Sequence, residues 1–155
     1  MKNIILILGL LSCMTTFSQN SQKEDVQKVI VAFFKAFHEA DTLALKNTIS
    51  EKLILQTTYK DKEGNDLIKT DDVSSFIEVI GSGRPVSDKW DERISSYKIQ
   101  VDGNMAHVWT PYEFWLNGKF IHCGVNSFQL FHDNGTWKIV YLIDSRRKSS
   151  CVSNK

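Results

Sequence analysis

The sequence predicts an α+β domain, with helices first and a long antiparallel meander after them. Three observations carry this. Apolar residues recur at helical spacing between Gln22 and His38. From Arg93 onward, long runs alternate apolar and polar residues, the period of a strand with one buried face. Two Asn-Gly pairs, Asn117-Gly118 and Asn134-Gly135, punctuate those runs as two-residue hairpin turns do.

In the first helix, Val26, Ile30, Phe33 and Phe37 share a face that Val29 and Phe34 widen, and Glu24 and Asp25 sit early, where the helix dipole favours acids. Asp41 or Thr42 caps a second short helix through Ile49, with Leu43 and Leu45 inward. Leu53 to Tyr59 is β-rich and predicts a first strand. Lys60 to Asp66 is polar and turns around Gly64-Asn65. Thr70-Asp71-Asp72 opens a third helix through Ile80, with Phe76, Ile77 and Ile80 apolar and Gly81 as the stop. Ser82 to Asp91 reads as a loop holding Gly83, Pro85 and Trp90. Strands follow at Arg93–Val101, Met105–Leu116, Phe120–Phe131 and Trp137–Asp144, with a turn at Asp102-Gly103-Asn104. There is no internal repeat and no second domain.

The N-terminus has the anatomy of a targeting signal. Met1-Lys2-Asn3 is basic, Ile4 to Leu11 is an apolar run too short to span a bilayer, and Thr16-Phe17-Ser18 is a small-residue exit. The expectation is a signal peptide over residues 1–18, cleavage before Gln19, and an exported domain, periplasmic or secreted, over residues 19–155. Leu10-Leu11-Ser12-Cys13 is a competing lipoprotein pattern, in which Cys13 is acylated and anchors the protein; simple cleavage leaves no membrane attachment.

The whole chain has a formal net charge of +1, and its first 18 residues hold one Lys and no acid, so the remainder is formally neutral. That balance excludes a protein built to neutralise nucleic-acid phosphates. Arg146-Arg147-Lys148 is a short basic run that reads as a solvated tail. Cys123 and Cys151 remain after cleavage, in a compartment where disulfides persist. Two readings stand, a Cys123–Cys151 bridge or a small buried hydrophobe at Cys123. No cysteine–histidine spacing suggests a metal, and no motif calls for a cofactor.

Phe33-Phe34-Lys35-Ala36-Phe37 through Asp41, Val101-Asp102-Gly103-Asn104-Met105-Ala106 and Asn134-Gly135-Thr136-Trp137-Lys138-Ile139 together resemble the nuclear transport factor 2-like superfamily, whose members include ketosteroid isomerases, polyketide cyclases and dehydratases. The resemblance spans almost all of residues 19–155. It implies three N-terminal helices packed on a curved, mostly antiparallel sheet that encloses a conical pocket, and it implies no particular chemistry.

A two-residue turn sets which residues face each other across a hairpin. Counting from Asn117-Gly118 sets Glu113 opposite His122, Trp109 opposite Asn126 and His107 opposite Phe128. Counting from Asn134-Gly135 sets Leu130 opposite Ile139, Phe128 opposite Tyr141 and Asn126 opposite Ile143. One face then carries Met105, His107, Trp109, Glu113, Trp115, Phe120, His122, Asn126, Phe128, Leu130, Trp137, Ile139, Tyr141 and Ile143, an apolar lining with sparse polar anchors. The other carries Ala106, Val108, Thr110, Tyr112, Cys123, Val125, Ser127, Gln129, Lys138, Val140, Leu142 and Asp144, and suits solvent or a dimer contact. A β-bulge inverts such an assignment, and Pro111 is the expected place for one.

On this register Glu113 and His122 form the one constellation with chemistry in it, a carboxylate orienting a general acid/base imidazole. The competing reading is an ordinary cross-strand pair at a sheet end. Asn126 is placed to hold a ligand oxygen. His107, Trp109, Tyr141 and Tyr59 are candidate pocket residues, each also able to serve as core with one polar tip, and Trp90 is a candidate lid. Asp144 with Arg146 reads as a surface ion pair of little weight. Three functions compete. The first is an exported protein binding a small, partly apolar molecule. The second is an isomerase, cyclase or dehydratase using the His122–Glu113 pair. The third is a module that homodimerises through the outer sheet face without catalysis.

Overall fold

A computed structural model describes residues 2–151, with side chains described from Ser21 onward. The expected signal segment, its cleavage before Gln19 and acylation of Cys13 fall outside the described side chains. The elements run α1 (Lys2–Glu39), α2 (Thr42–Thr48), β1 (Ile49–Lys60), β2 (Asp66–Asp71), α3 (Val73–Gly81), β3 (Trp90–Ile94), β4 (Lys98–Asp102), β5 (Met105–Leu116), β6 (Lys119–Asp133) and β7 (Thr136–Arg147). The seven strands form one curved sheet in the order β2-β1-β7-β6-β5-β3, with β4 also paired to β5. Among the described residues only the β1–β7 pair is parallel. The predicted class, three helices on a mostly antiparallel sheet, is the observed one.

The helices form where the periodicity places them. Val26, Ile30, Phe33, Phe34 and Phe37 are all buried against the sheet. Asp41 caps α2, its carboxylate accepting from the Ala44 N–H at 2.9 Å, and Asp72 caps α3 through the Ser75 N–H at 2.8 Å. Leu45 is fully buried, but Leu43 is 72% exposed, because α2 is only two turns long and turns one side inward. β2 was not expected. It is an edge strand of mostly exposed residues, and its apolar Leu67 and Ile68 face solvent. The expected strand Arg93–Val101 is two strands, broken at Ser95–Tyr97, where the Ser95 N–H and hydroxyl both donate to the Pro111 carbonyl, each at 3.0 Å.

Both Asn-Gly turns form as predicted. Asn117, Gly118, Asn134 and Gly135 all have positive φ, the signature of the turn type whose twist suits a hairpin. The facing residues next to the turns also agree, Leu116 with Lys119 and Leu130 with Ile139. Beyond them two bulges change the count. Ile121 is an extra residue in β6, so Phe114 rather than Glu113 faces His122. Val140 is an extra residue in β7, so Leu142 rather than Tyr141 faces Phe128, and Asp144 rather than Ile143 faces Asn126. Pro111 stays in regular register opposite Val125. One extra residue exchanges the two faces of everything beyond it. The concave face therefore carries Ala106, Val108, Thr110, Tyr112, Phe114, His122, Asn126, Phe128, Leu142 and Asp144. His107, Trp109, Glu113, Tyr141 and Ile143 move to the convex face.

Cys123 and Cys151 are joined by a disulfide, with Cα atoms 5.8 Å apart, which ties the segment after β7 back onto β6. Of the two readings of Cys123, the bridge is the one that forms.

Candidate functional site

Between α1, α3 and the concave face lies a cavity of about 470 Å³. That is the size of ordinary small-molecule sites, roughly 300–1,000 Å³. One wall is aromatic. Helix α1 contributes Phe33, Phe34 and Phe37, helix α3 contributes Phe76, and the sheet contributes Trp90 and Phe114. Phe37 and Trp90 pack at a tilt with centroids 5.3 Å apart, and Trp90 meets Phe114 edge-on at 5.8 Å. Arg84 fixes Trp90 from behind: its guanidinium lies 4.8 Å from the indole centroid and donates to the His38 carbonyl at 3.0 Å.

The opposite wall holds the polar groups, supplied by adjacent inward positions of five strands. Asp144, on β7, is 8% exposed and heavily satisfied. Its carboxylate accepts from the Thr57 hydroxyl at 2.6 Å, the Tyr112 hydroxyl at 3.0 Å and Arg146 Nε at 2.7 Å. Burial, then the neighbouring Asp144 charge, pushes the Tyr112 phenol well above its ordinary value and keeps it a donor.

Glu92, on β3, is set differently. Asn126 Nδ2 donates to its Oε1 at 2.7 Å, and no other side chain among the described residues donates to it. Burial pushes the Glu92 carboxyl up to about 7, with the Asn126 hydrogen bond opposing and the Asp144 charge adding to the rise. The backbone beneath is anchored, since the Glu92 N–H donates to His38 Nε2 at 2.8 Å. That bond makes Nε2 the acceptor and Nδ1 the protonated nitrogen of His38.

His122 lies on the cavity wall, edge-on to Tyr112 and tilted over Phe114 at 5.1 Å. Burial, then the Arg146 charge, pushes it down to about 4, so the ring is neutral near pH 7. The expected Glu113–His122 pair does not form. Glu113 lies on the convex face and accepts from Trp115 Nε1 at 3.1 Å. His107 is also there, hydrogen-bonded to the Ser127 hydroxyl at 3.1 Å, as are Trp109, 42% exposed, and Tyr141, whose hydroxyl donates to the Gln56 carbonyl. Of the residues expected to line a pocket, the structure gathers His122, Asn126 and Trp90 around the cavity. Tyr59 lines the open groove beyond its mouth. The Asp144–Arg146 pair exists, but its carboxylate is buried rather than at the surface.

The sequence reading missed Glu92, Asp144 and Tyr112 as cavity groups. The signal available for Glu92 was the inward alternation Trp90-Glu92-Ile94, which had been divided between a loop and a strand. Among the described residues, no group of three or more His, Cys, Asp or Glu side chains is arranged to hold a metal ion.

An open, curved sheet roofed by three helices, with a part-aromatic cavity between them, is the NTF2-like fold. The chain belongs to the family described as "Putative lumazine-binding", whose model matches residues 21–142. Among solved structures it is similar to an NTF2-like superfamily protein from Salmonella enterica, with 19% identity, a TM-score of 0.64, and coverage of 88% of this chain and 98% of that one. It is also similar to a Mycobacterium tuberculosis protein of unknown function, with 13% identity, a TM-score of 0.69, and coverage of 87% and 77%. A third is an NTF2-like protein of unknown function from Shewanella baltica, with 14% identity, a TM-score of 0.59, and coverage of 83% and 96%. These likenesses establish the fold alone. No curated protein matches the chain.

Proposed function

We propose that this domain binds a small, planar, partly apolar heterocycle with a cyclic amide or imide edge, of the lumazine kind. The observation that carries this is the Glu92–Asn126 pair, 2.7 Å apart inside an aromatic-walled cavity. Near pH 7 a large share of Glu92 is protonated. A neutral carboxyl presents one O–H donor and one carbonyl acceptor side by side. A cyclic amide presents the complementary C=O and N–H, so the two edges join by two hydrogen bonds. The phenyl and indole groups of the other wall suit the faces of such a ring. The family description points to the same ligand class.

Fluorescence or calorimetric titration with lumazine tests the reading. Glu92→Ala should weaken binding by about tenfold or more, the cost of leaving a buried donor and acceptor unmade. An analogue alkylated at the imide nitrogen should bind correspondingly less well. Equal binding of both compounds, or indifference to Glu92→Ala, rejects it.

Glu92 also supports a second reading, an isomerase, cyclase or dehydratase with this carboxyl in the acid/base role first assigned to His122 and Glu113. A carboxyl poised near neutral pH in an apolar cavity suits proton transfer. In a turnover screen of small carbonyl compounds, Glu92→Gln would abolish the rate while leaving binding in place; the absence of turnover rejects this reading. Two proposals concern the setting. The domain is exported, starting at Gln19, which intact mass decides against a lipid adduct on Cys13. It homodimerises through the convex face, where Met105, Trp109 and Phe131 are exposed, and a monomeric mass in solution refutes that.

A further inference from the structure

The cavity does not end at its polar wall. Beyond it lies an open groove of about 1,360 Å³, bounded by the β1–β2 hairpin, the start of β6 and the end of β7. His122 and Arg146 line both spaces, so they frame a common mouth. We propose that the ligand has two parts, a planar head in the cavity and an anionic tail, carboxylate or phosphate, that passes between His122 and Arg146 into the groove. This rests on the head-binding reading above.

Charge argues for the direction. The cavity's inner end is aromatic and carries the Asp144 carboxylate, so it offers an anionic tail no counter-charge. The groove is lined by Lys60, Lys62, Arg146, Arg147 and Lys148, against three acids. Some of these charges cancel: Lys60 is paired with Asp66 and Arg146 with Asp144, which leaves Lys62, Arg147 and Lys148 against Asp61 and Glu63. Asp61 accepts from the Asn65 N–H at 2.8 Å and from its Nδ2 at 2.9 Å, and Asp66 is bound by Lys60 at 2.6 Å. An anion-bearing ligand is therefore oriented head-in, tail-out before any specific contact forms.

Geometry supports the same path. Arg146 is positioned at the mouth by Asp144, which takes its Nε and Nη2, while Nη1 has no hydrogen-bond partner among the described residues. His122 on the other side packs edge-on to Tyr112 and tilted over Phe114, which fixes the far side of the passage. The basic run that the sequence suggests is a solvated tail is instead held in place. Arg147 is the cross-strand partner of Cys123, and the Cys123–Cys151 bridge closes the chain back over that position. Arg147 Nε also donates to the Ser150 carbonyl at 3.2 Å.

The test uses the full disulfide-bonded domain and three probes: lumazine, lumazine with a carboxylate-ended alkyl chain of about five atoms, and the same chain ended by phosphate. Calorimetry at low salt should give the tailed probes at least tenfold tighter binding than lumazine. That advantage should collapse at high salt, as exposed ion pairing does. It should collapse also in Arg147→Ser/Lys148→Ser, while the affinity for bare lumazine stays unchanged. A phosphate probe stronger than the carboxylate probe assigns the tail as phosphate; equal gains assign any anion. If lumazine binds and the tails add nothing, or add a gain that salt and the double variant leave intact, the groove proposal is overturned and the cavity reading stands. If none of the three binds, both fall. The salt comparison uses the unaltered protein, so it decides the matter even if the variant folds poorly.

Discussion

Replacing Glu92 by Gln should stabilise the domain by an amount that grows as pH rises from about 4.5 to about 7 and is constant above that. Burial raises the Glu92 carboxyl from 4.5 to about 7 in the folded protein. The folded state therefore binds this proton more tightly than the unfolded chain does. Its stabilising contribution is complete below about 4.5 and is lost as pH rises through 7. At about 1.4 kcal/mol per pH unit, the full loss is about 3–4 kcal/mol. Gln at this position keeps an oxygen to accept from Asn126 Nδ2 and has no charge to bury. Relative to the native protein, Glu92→Gln should be near neutral at pH 4 and about 3–4 kcal/mol more stable at pH 8.5.

The native protein alone would not reveal this, because His122 opposes it. Its folded value of about 4 lies below the ordinary 6.5, so the unfolded chain protonates first and stability is lost as pH falls from 6.5 towards 4. Across pH 4.5 to 6.5 the two slopes run in opposite directions and largely cancel. The informative quantity is the difference between native protein and variant, from urea unfolding at each pH. His122 drops out of that difference, since neither group is among the charges that shift the other. A difference that is flat with pH, or a variant less stable at pH 8.5, refutes the buried, poorly compensated Glu92.

Four further outcomes follow from the same geometry. In NMR titration the His122 ring should titrate near 4; Glu113→Gln, across the sheet, should leave it unmoved, and Arg146→Gln should raise it. A titration near 6.5 would refute its burial. Cys151→Ser should cost about 3–4 kcal/mol by the loop-entropy argument for a bridge spanning 28 residues, and a denaturant-unfolding loss below about 1 kcal/mol would refute the clamp. Trp137→Ala should cost about 3–5 kcal/mol, because the ring is 5% exposed; a loss below about 1 kcal/mol places it outside the core. Gly124→Ala should cost about 3 kcal/mol or more, since a Cβ there would stand 1.7 Å from the Ser145 carbonyl oxygen and 2.9 Å from the Tyr112 ring; a normally stable variant would refute that close approach.

Particular elements explain what was legible. Helix α1 was readable because a period of 3.6 has no parity to lose: Val26, Ile30, Phe33 and Phe37 stay on one face wherever the count begins. Both hairpin turns were readable because Asn-Gly meets a positive-φ requirement that few other pairs meet. The strand faces were not readable beyond the first bulge, because a period of 2 inverts with one extra residue. Ile121 and Val140 are ordinary apolar residues in apolar strands, and nothing in their chemistry marks them as bulges. Pro111 did carry a mark, its missing N–H, and yet it sits in regular register. The edge strand β2 was missed because exposed Leu67 and Ile68 among charged residues look like a loop.

The same two bulges decide the chemistry of the site. Without Ile121, Glu113 would face His122, and the cavity would hold an imidazole beside a carboxylate. With it, His122 meets Phe114 and Tyr112 and loses its proton to burial. Without Val140, Ile143 would face Asn126, and the floor would be apolar. With it, Asp144 enters the cavity beside Asn126 and captures Thr57, Tyr112 and Arg146. Asp144 thereby takes up the nearby cationic and hydroxyl partners, and Glu92 is left with Asn126 alone. Two carboxyl groups on one wall thus diverge: a fully bonded anion that positions Arg146, and a carboxyl with one oxygen left to bind something else. The second is costly as an anion, since its part-buried, apolar setting disfavours the charged form. A ligand that supplies the missing donor and acceptor removes that cost, and for this reason Glu92 is the residue on which both the binding affinity and the pH response of this protein should turn.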